Sequence, residues 1–272
     1  MWTVTAVLLP AVAWGVFSFG FRAALVLAVS VVAAIGTEAL LMRSGGRGNL
    51  RDGSAVLTGL LIGMNVPAGI PVFIPAIASI FAIGVVKWTF GGLGSNWMNP
   101  ALAGRVFVFF SWTGEMTTWP VPRFYTIDGT TMPTVLGAAK TGAGQVAGSG
   151  PRQVLESVGF PRSDMDLAIS GWLNENVLES LGIRMPSGYI DSFLGFIPGC
   201  IGEVSAVLLL AGAIVLFAHR IITWHTPVAL FVTFGLLMFT FGGVPYEAGL
   251  FAGDVLFHVL SGGFMLGMLY MS

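Results

Sequence analysis

Charge is what this sequence has least of. Only 9% of its 272 residues are Asp, Glu, Lys or Arg, whereas an ordinary soluble domain has about a quarter. Hydrophobic residues make up 55% of the chain, which excludes a soluble globular domain. The net charge of -1 and the pI near 6.3 exclude a basic nucleic-acid-binding surface. We therefore predict a protein that lies in lipid and binds no nucleic acid.

Cysteine and histidine are also scarce. Cys200 is the single cysteine, which excludes an internal disulfide and any metal centre that needs two thiolates from this chain. The three histidines, His219, His225 and His258, are too few and too poorly spaced to hold a haem between facing helices. No basic region precedes the apolar run that begins at Trp2, so we interpret that run as a retained span. We predict no metal site.

Long apolar runs are abundant and predict an all-α polytopic membrane protein. A span needs about 20 apolar residues, and the runs give about eight transmembrane or half-membrane helices. The predicted helices cover residues 3–19, 21–42, 53–66, 70–88, 99–113, 193–218, 226–242 and 249–271. The third and fifth are short and begin with capping signals, so we expect half-helices that meet broken backbone.

A polar segment divides the apolar chain. We predict a first membrane repeat at residues 1–114, a polar segment at 115–192 and a second repeat, apparently incomplete, at 193–272. Glycine clusters at 91–94 and 262–267 lie in corresponding places of the two halves, which favours an internal repeat with a binding site between its parts.

Basic residues in the short loops predict the orientation. Arg43, Arg47 and Arg51 crowd one connection, Lys87 ends the fourth predicted helix, and Arg220 follows the sixth. The positive-inside rule then places the amino terminus in the cytoplasm and residues 115–192 on the extracytoplasmic side.

Several polar residues are candidates for function. The polar segment carries a hydroxyl-rich turn that reads Asp128-Gly129-Thr130-Thr131-Met132-Pro133-Thr134. On these residues alone a plain turn is the preferred interpretation, since Asp, Gly and Thr favour turns.

Other candidates lie in or beside the predicted spans. Glu203, Asp254 and His258 are candidates for an ion pathway, and Glu38 is equally ambiguous, but we favour structural roles, including a pair between Glu203 and Arg105. Asn96 and Asn99 offer amides either to a ligand or to broken backbone.

Three stretches resemble one known family. They are residues 52–61, residues 199–206 and the run Lys87-Trp-Thr-Phe-Gly91-Gly-Leu-Gly-Ser-Asn96-Trp-Met-Asn99-Pro-Ala-Leu-Ala-Gly-Arg105. These are similar to the membrane flavoprotein subunit shared by the Rnf and sodium-pumping quinone reductase complexes, the RnfD/NqrB family. The resemblance covers nearly the whole chain. It is greatest to the Rnf version, because few residues precede the first predicted helix.

The resemblance implies a covalent flavin. In the family, FMN is joined through its phosphate to a threonine in a motif like Asp-Gly-x-Ser-Gly-Ala-Thr. Asp128 and Gly129 match its start, Thr131 takes the serine position, and Thr134 is the implied acceptor, with Met132-Pro133 in place of Gly-Ala. The family also implies a second, noncovalent flavin, riboflavin, for which Asn96 and Asn99 are candidates.

The implied function is electron relay in an ion-translocating oxidoreductase of the prokaryotic inner membrane. Electrons would pass between ferredoxin and NAD in other Rnf subunits, coupled to Na⁺ or H⁺ transport, and a flavin transferase and membrane lipid are further implied partners. Family members continue into two more helices beyond a segment like residues 262–271. The alternatives are a quinone reductase subunit, a solute transporter or channel without redox function, and an assembly scaffold.

Overall fold

The computed structural model describes residues 1–44, 49–125, 130–143, 150–182, 185–261 and 263–271. Within these ranges every regular element is helical, and two residues, Pro120 and Thr131, form an isolated bridge. The helices are α1 Trp2–Phe19, α2 Phe21–Arg43, α3 Ser54–Met64, α4 Phe73–Phe81, α5 Pro100–Ser111, α6 Thr113–Met116, α7 Val135–Gly142, α8 Pro151–Ser157, α9 Asp164–Leu173, α10 Tyr189–Leu194, α11 Ala206–Ala218, α12 His225–Phe241, α13 Val255–Ser261 and α14 Phe264–Leu266. Short 3-10 helices cover Leu50–Asp52, Glu179–Leu181 and Val244–Tyr246. Short π-helices cover Ala82–Trp88, Asn174–Leu178 and Gly267–Met271.

Three stretches are long and apolar enough to cross a membrane among the described residues: Trp2–Phe19, Phe21–Arg43 and His225–Tyr246. Shorter apolar helices accompany them, as α3, α5, α11 and the helical stretch Phe73–Trp88. The fold is therefore that of an all-α polytopic membrane protein, as predicted. The number of complete spans stays a prediction.

The first half is built on the close approach of α2 and α3. A Cβ atom added at Gly59 would lie 2.7 Å from the Val31 Cα and 2.9 Å from the Ser30 carbonyl oxygen. The Ser30 hydroxyl also donates to the Gly59 carbonyl at 2.7 Å. Small residues let two backbones meet in lipid, where close packing replaces the hydrophobic effect as the source of helix association.

Short α3 ends against backbone from the second half. The carbonyl of Met64 accepts from the Gly202 N–H at 2.9 Å, and the carbonyl of Val66 accepts from the Ile201 N–H at 3.2 Å. Carbonyls at a helix end lack intrahelical partners, and in a membrane they need partners from the protein itself. The end of α3 therefore meets irregular backbone from the second half, as expected, and its assignment as a half-membrane helix stays a prediction.

Two predicted helices of the second half are wrong as continuous elements. Residues 193–218 contain a break between α10 and α11, where Gly195 adopts φ +101°. Residues 249–271 begin with irregular backbone, including Gly249 at φ +90° and Phe251 at φ +62°, and helix resumes only at α13. Hydropathy alone merged these pieces because the connecting residues are themselves small or apolar.

The polar segment has its own folded core. The buried Asp166 carboxylate accepts hydrogen bonds from the backbone N–H groups of Gly188, Ile190 and Asp191 at 2.6 to 3.2 Å. A carboxylate at the N-terminus of α10 satisfies donors that the helix leaves free. This contact fixes α9 against α10 and makes the segment a structured unit.

Candidate functional site

Thr134 begins helix α7. Its backbone is extended, at φ -64° and ψ 160°, and its Oγ1 accepts a hydrogen bond from the Gly137 N–H at 3.0 Å. This is the N-cap arrangement that threonine favours. The side chain is half-buried. Asp128 and Gly129, the start of the predicted motif, lie outside the described residues.

A short backbone pairing fixes the chain just before Thr134. The Met132 N–H donates to the Trp119 carbonyl at 3.0 Å, and the Val121 N–H donates to the Thr130 carbonyl at 3.3 Å. Thr130 and Thr131 are exposed in this pairing. The three threonine hydroxyls near the motif therefore have different surroundings, and Thr134 alone of the three caps a helix.

Thr134 lines a cavity of about 180 Å³ that extends between the two membrane halves. The polar and small residues around it come from distant parts of the chain. They are Arg105 from α5, Cys200 and Glu203 from the backbone before α11, Ser261 at the end of α13, and Gly263.

Charge in this cavity comes from one ion pair. The Arg105 Nη1 lies 3.6 Å from the Glu203 Oε1, and the Arg105 Nη2 lies 3.7 Å from the Cys200 Sγ. The pairing of Glu203 with Arg105 confirms one of the structural roles predicted for that glutamate. The Ser261 Oγ is buried and has no hydrogen-bond partner among the described residues.

Asn99 and Asn96 do not line this cavity. Asn99 caps α5, because its Oδ1 accepts from the Ala101 N–H at 2.9 Å, and its Nδ2 donates to the Met271 carbonyl at 3.0 Å. The Asn96 amide, oriented to satisfy its surroundings, donates to the carbonyls of Val86 and Lys87 at 3.1 and 3.2 Å. Both amides serve broken backbone, which is one of the two predicted interpretations. Riboflavin stays a prediction.

Asp254 and His258 are also outside the cavity. The Asp254 Oδ1 accepts from the Phe257 N–H at 2.8 Å at the start of α13, and its Oδ2 accepts from the Tyr189 hydroxyl. The His258 Nδ1 lies 2.7 Å from the Asp254 carbonyl. These contacts give the pair a structural role, and an ion pathway through Glu203, Asp254 or His258 stays a prediction.

Tyr189 belongs to a buried cluster that ties the polar segment to α13. The Arg152 guanidinium lies 4.2 Å from the Tyr189 ring centre and 4.8 Å from that of Phe257. Burial lowers the pKa of Arg152 and raises that of Tyr189, whose pKa the hydrogen bond to Asp254 raises further. The phenol is therefore held protonated, as the donor to Asp254. Sequence reasoning missed this cluster, because Arg152 shows no motif.

A second concavity begins just before Thr134. This apolar groove of about 410 Å³ runs along α7 and the residues that follow α8. Its walls include Met132, Pro133, Val158 and Phe160. Its volume falls within the range of about 300–1,000 Å³ that is typical of small-molecule sites.

The fold and the site together define a class: a polytopic helical membrane protein with a cavity that carries an ion pair and is lined by residues from both membrane halves and from the polar segment. The chain matches the NQR2, RnfD, RnfE family over residues 1–272 and belongs to that family.

Its relatives include the D-type subunit of the proton-translocating ferredoxin:NAD(+) oxidoreductase complex of Clostridium ljungdahlii, which is 35% identical over the whole chain and 72% of the relative. The corresponding subunit of the Na(+)-translocating complex of Acetobacterium woodii is 33% identical over the whole chain and 70% of the relative. That of the ion-translocating oxidoreductase complex of Stutzerimonas stutzeri is 33% identical over 99% of the chain and 73% of the relative.

Proposed function

We propose that this chain is the D-type membrane subunit of an ion-translocating ferredoxin:NAD⁺ oxidoreductase complex and that it carries FMN as a phosphoester on Thr134. Family membership and the names of its relatives support the first part. The observation that carries the second part is the position of Thr134, a half-buried hydroxyl that caps a helix and lines a cavity containing a guanidinium.

The surroundings of Thr134 suit a phosphate. Helix N-termini present N–H groups without intrahelical partners and a positive end of the macrodipole, so they favour bound phosphate. A phosphate on the Thr134 oxygen would lie directly at the N-terminus of α7. Thr130 and Thr131 lie in the paired stretch before the helix and lack this advantage.

The attachment is a phosphoryl transfer. The Thr134 hydroxyl oxygen would attack the phosphorus next to riboflavin in a flavin dinucleotide, forming the ester P–O bond while the phosphoanhydride P–O bond breaks. The second nucleotide leaves as a monophosphate, and the hydroxyl proton passes to a base of the flavin transferase. The acceptor must therefore be reachable by another protein, and Thr134 lies in a turn between exposed residues, Thr131 and Pro133 before it and Lys140 after it.

The rest of the flavin also has a surface to contact. The apolar groove that begins at Met132 and Pro133 offers Val158 and Phe160 to an aromatic ring system. When bound, FMN supplies one- and two-electron redox chemistry that no side chain of this protein offers. The chain's own residues would hold the cofactor and keep its phosphate end fixed.

We also propose that the polar segment lies on the extracytoplasmic side of a prokaryotic inner membrane and that the amino terminus is cytoplasmic. Arg43 at the end of α2 and Arg220 after α11 support this orientation. Lys87 no longer does, because its side chain is buried against Glu38 instead of lying in a loop. The other Rnf subunits, a flavin transferase and membrane lipid are the partners proposed with this placement.

The test is flavin fluorescence of the denatured protein after co-expression with a flavin transferase. Thr134→Asn removes the hydroxyl but keeps a residue that caps helices well, so α7 is retained. We expect this variant to be dark and Thr134→Ser, which keeps both cap and hydroxyl, to remain fluorescent.

Thr131→Val is the matched control and should fluoresce like the wild type. If Thr134→Asn kept full fluorescence, the acceptor would be another residue. A dark wild-type protein made in the presence of an active transferase would reject the covalent flavin altogether.

A further inference from the structure

We propose that the cavity beside Thr134 is an anion site for the phosphodiester that joins flavin to protein, with Arg105 as the residue that binds its charge. This inference rests on the proposed function, and it assigns a role to a residue for which the resemblance implied none. It divides the cofactor into a phosphate end, held in the cavity beside Arg105, and a ring system that stays outside it.

Arg105 has N–H donors that no short hydrogen bond uses. A guanidinium carries five N–H donors, and among the described residues its polar contacts are the two long ones to Glu203 and Cys200, at 3.6 and 3.7 Å. Its side chain is 34% exposed and lines the cavity. A guanidinium held by two parallel short bonds to a carboxylate has its charge largely compensated by that partner and is fixed in place. Arg105 is not held in that way.

The size of the cavity selects the phosphate end of the cofactor. Its volume of about 180 Å³ is close to the ~150 Å³ of an engineered cavity that admits benzene. A phosphodiester with the first carbons of its sugar chain fits such a space, whereas a three-ring flavin does not. Since the phosphate would be bonded to Thr134, which lines the cavity, it is the part nearest to that space.

Two further groups suit an anion. The Ser261 hydroxyl lines the cavity, is buried and lacks a partner among the described residues, so it is free to donate. The first-turn N–H groups of α7 adjoin Thr134. Glu203 repels an anion, but it also orients the guanidinium, so we assign it a positioning role.

A consequence is that Arg105 fixes the tether and leaves the ring outside the cavity, where the apolar groove that begins at Met132 and Pro133 is available to it. A ring held by its phosphate end can face a redox partner in another subunit without moving the attachment point. In a protein without the Arg105 guanidinium, the ester would keep its bond to Thr134, but its phosphate would be free to face water.

The first experiment needs no substitution. In flavinylated wild-type protein, purified in a detergent without phosphorus, the ³¹P resonance of the phosphodiester should broaden only weakly when Mn²⁺ is added, because the phosphate is enclosed. Strong broadening, like that of free FMN, would show an exposed phosphate and overturn the inference while leaving the covalent flavin intact.

The second experiment compares substitutions in the same flavinylated protein. Arg105→Gln should make the ³¹P resonance several-fold more sensitive to Mn²⁺ and lower the fluorescence anisotropy of the flavin. Arg105→Lys should restore part of both. Arg123→Gln, which removes the same charge from an exposed position outside the cavity, should behave like the wild type.

The outcomes separate the two proposals. If Arg105→Gln matched the wild type in both signals, Arg105 would not bind the phosphate, although Thr134 would remain the acceptor. If the wild-type protein carried no ³¹P ester resonance, the covalent flavin and this inference would fall together.

Discussion

Two of the ion pairs among the described residues, Lys87 with Glu38 and Arg105 with Glu203, differ in contact distance and in exposure to solvent. Lys87 and Glu38 are 2.6 Å apart, their side chains are 4% and 2% exposed, and the Lys87 ammonium also donates to the Ser54 hydroxyl at 2.6 Å. Arg105 and Glu203 are 3.6 Å apart with 34% and 12% exposed side chains, and they line a cavity.

We interpret the Lys87–Glu38 pair, the closed pair, as structural and the Arg105–Glu203 pair, the open pair, as one that can also bind a ligand. Desolvating two charges is expensive, and a buried pair offsets that cost only with short contacts and further hydrogen bonds, which Lys87 has. Arg105 has longer contacts and an adjoining space. The presence of an ion pair in a membrane protein is therefore weak evidence of function. Stronger evidence is a cation whose N–H donors are not all used, as at Arg105.

The largest expected effect is at the closed pair. Lys87→Met leaves the Glu38 carboxylate buried without its partner, and we expect the free energy of unfolding to fall by about 3–5 kcal/mol. Reversible unfolding in mixed micelles measures it. The double variant Lys87→Met with Glu38→Leu should recover most of the loss, because no charge is then left unpaired. A single variant as stable as the wild type would contradict the account of this pair.

Packing of α2 against α3 holds Glu38 near Ser54, so a substitution at this contact should destabilise the region that holds the Lys87–Glu38 pair. Gly59→Ala places a methyl group against the backbone of Val31 and Ser30, and overpacking of this kind costs about 1–3 kcal/mol. The same unfolding measurement applies. Gly36→Ala on the exposed face of α2, where an added Cβ has no neighbour within 4 Å, is the matched control and should not destabilise. Equal effects at both positions would argue against a tight α2–α3 contact.

The cluster in the polar segment should respond less, and with a defined pH dependence. Tyr189→Phe removes the hydrogen bond to Asp254, which we expect to cost roughly 1–2 kcal/mol at neutral pH. Because the folded protein raises the pKa of Tyr189 above 10.0, its contribution is complete below pH 10 and is lost as the pH rises toward the higher folded value. Unfolding followed from pH 8 to 11 should therefore show a shallower decline in Tyr189→Phe. Parallel curves for the two proteins would contradict this.

The open pair should contribute least to stability. Arg105→Gln is expected to lower the free energy of unfolding by less than roughly 1 kcal/mol, because the pair is long, the Arg105 side chain is 34% exposed and the Gln amide can still donate to Glu203. Measured beside Lys87→Met under identical conditions, it should be clearly the milder change. If Arg105→Gln lowered the free energy of unfolding as much as Lys87→Met does, the distinction between the two pairs would be wrong.

The sequence predicted the first half of the fold well and the second half less well. The limits of α1 and α3 were visible, because their apolar runs end at Gly20 and Asn65, and the start of α5 was visible in the capping pair Asn99-Pro100. The breaks near Gly195 and Gly249 were not, because residues such as Phe196, Ile197 and Phe251 keep the hydropathy high where the backbone is irregular.

In the site, too, features set by neighbouring residues could be predicted and features set by tertiary packing could not. The helix-capping position of Thr134 depends on its neighbours in sequence, and the pair between Glu203 and Arg105 was one of the predicted options. The cavity brings Arg105, Thr134, Glu203 and Ser261 together across 156 positions of the chain, from 105 to 261. Only the packing of the two halves creates it, so no local pattern predicts it.

The most direct measurement is the mass of the tryptic peptide that covers residues 124–140, which begins after Arg123, ends at Lys140 and contains every hydroxyl of the motif. From membranes that also contain an active flavin transferase, it should carry the mass of FMN less one water, and fragmentation should place that mass on Thr134. An unmodified peptide, or a modification on Thr130 or Thr131, would contradict the account.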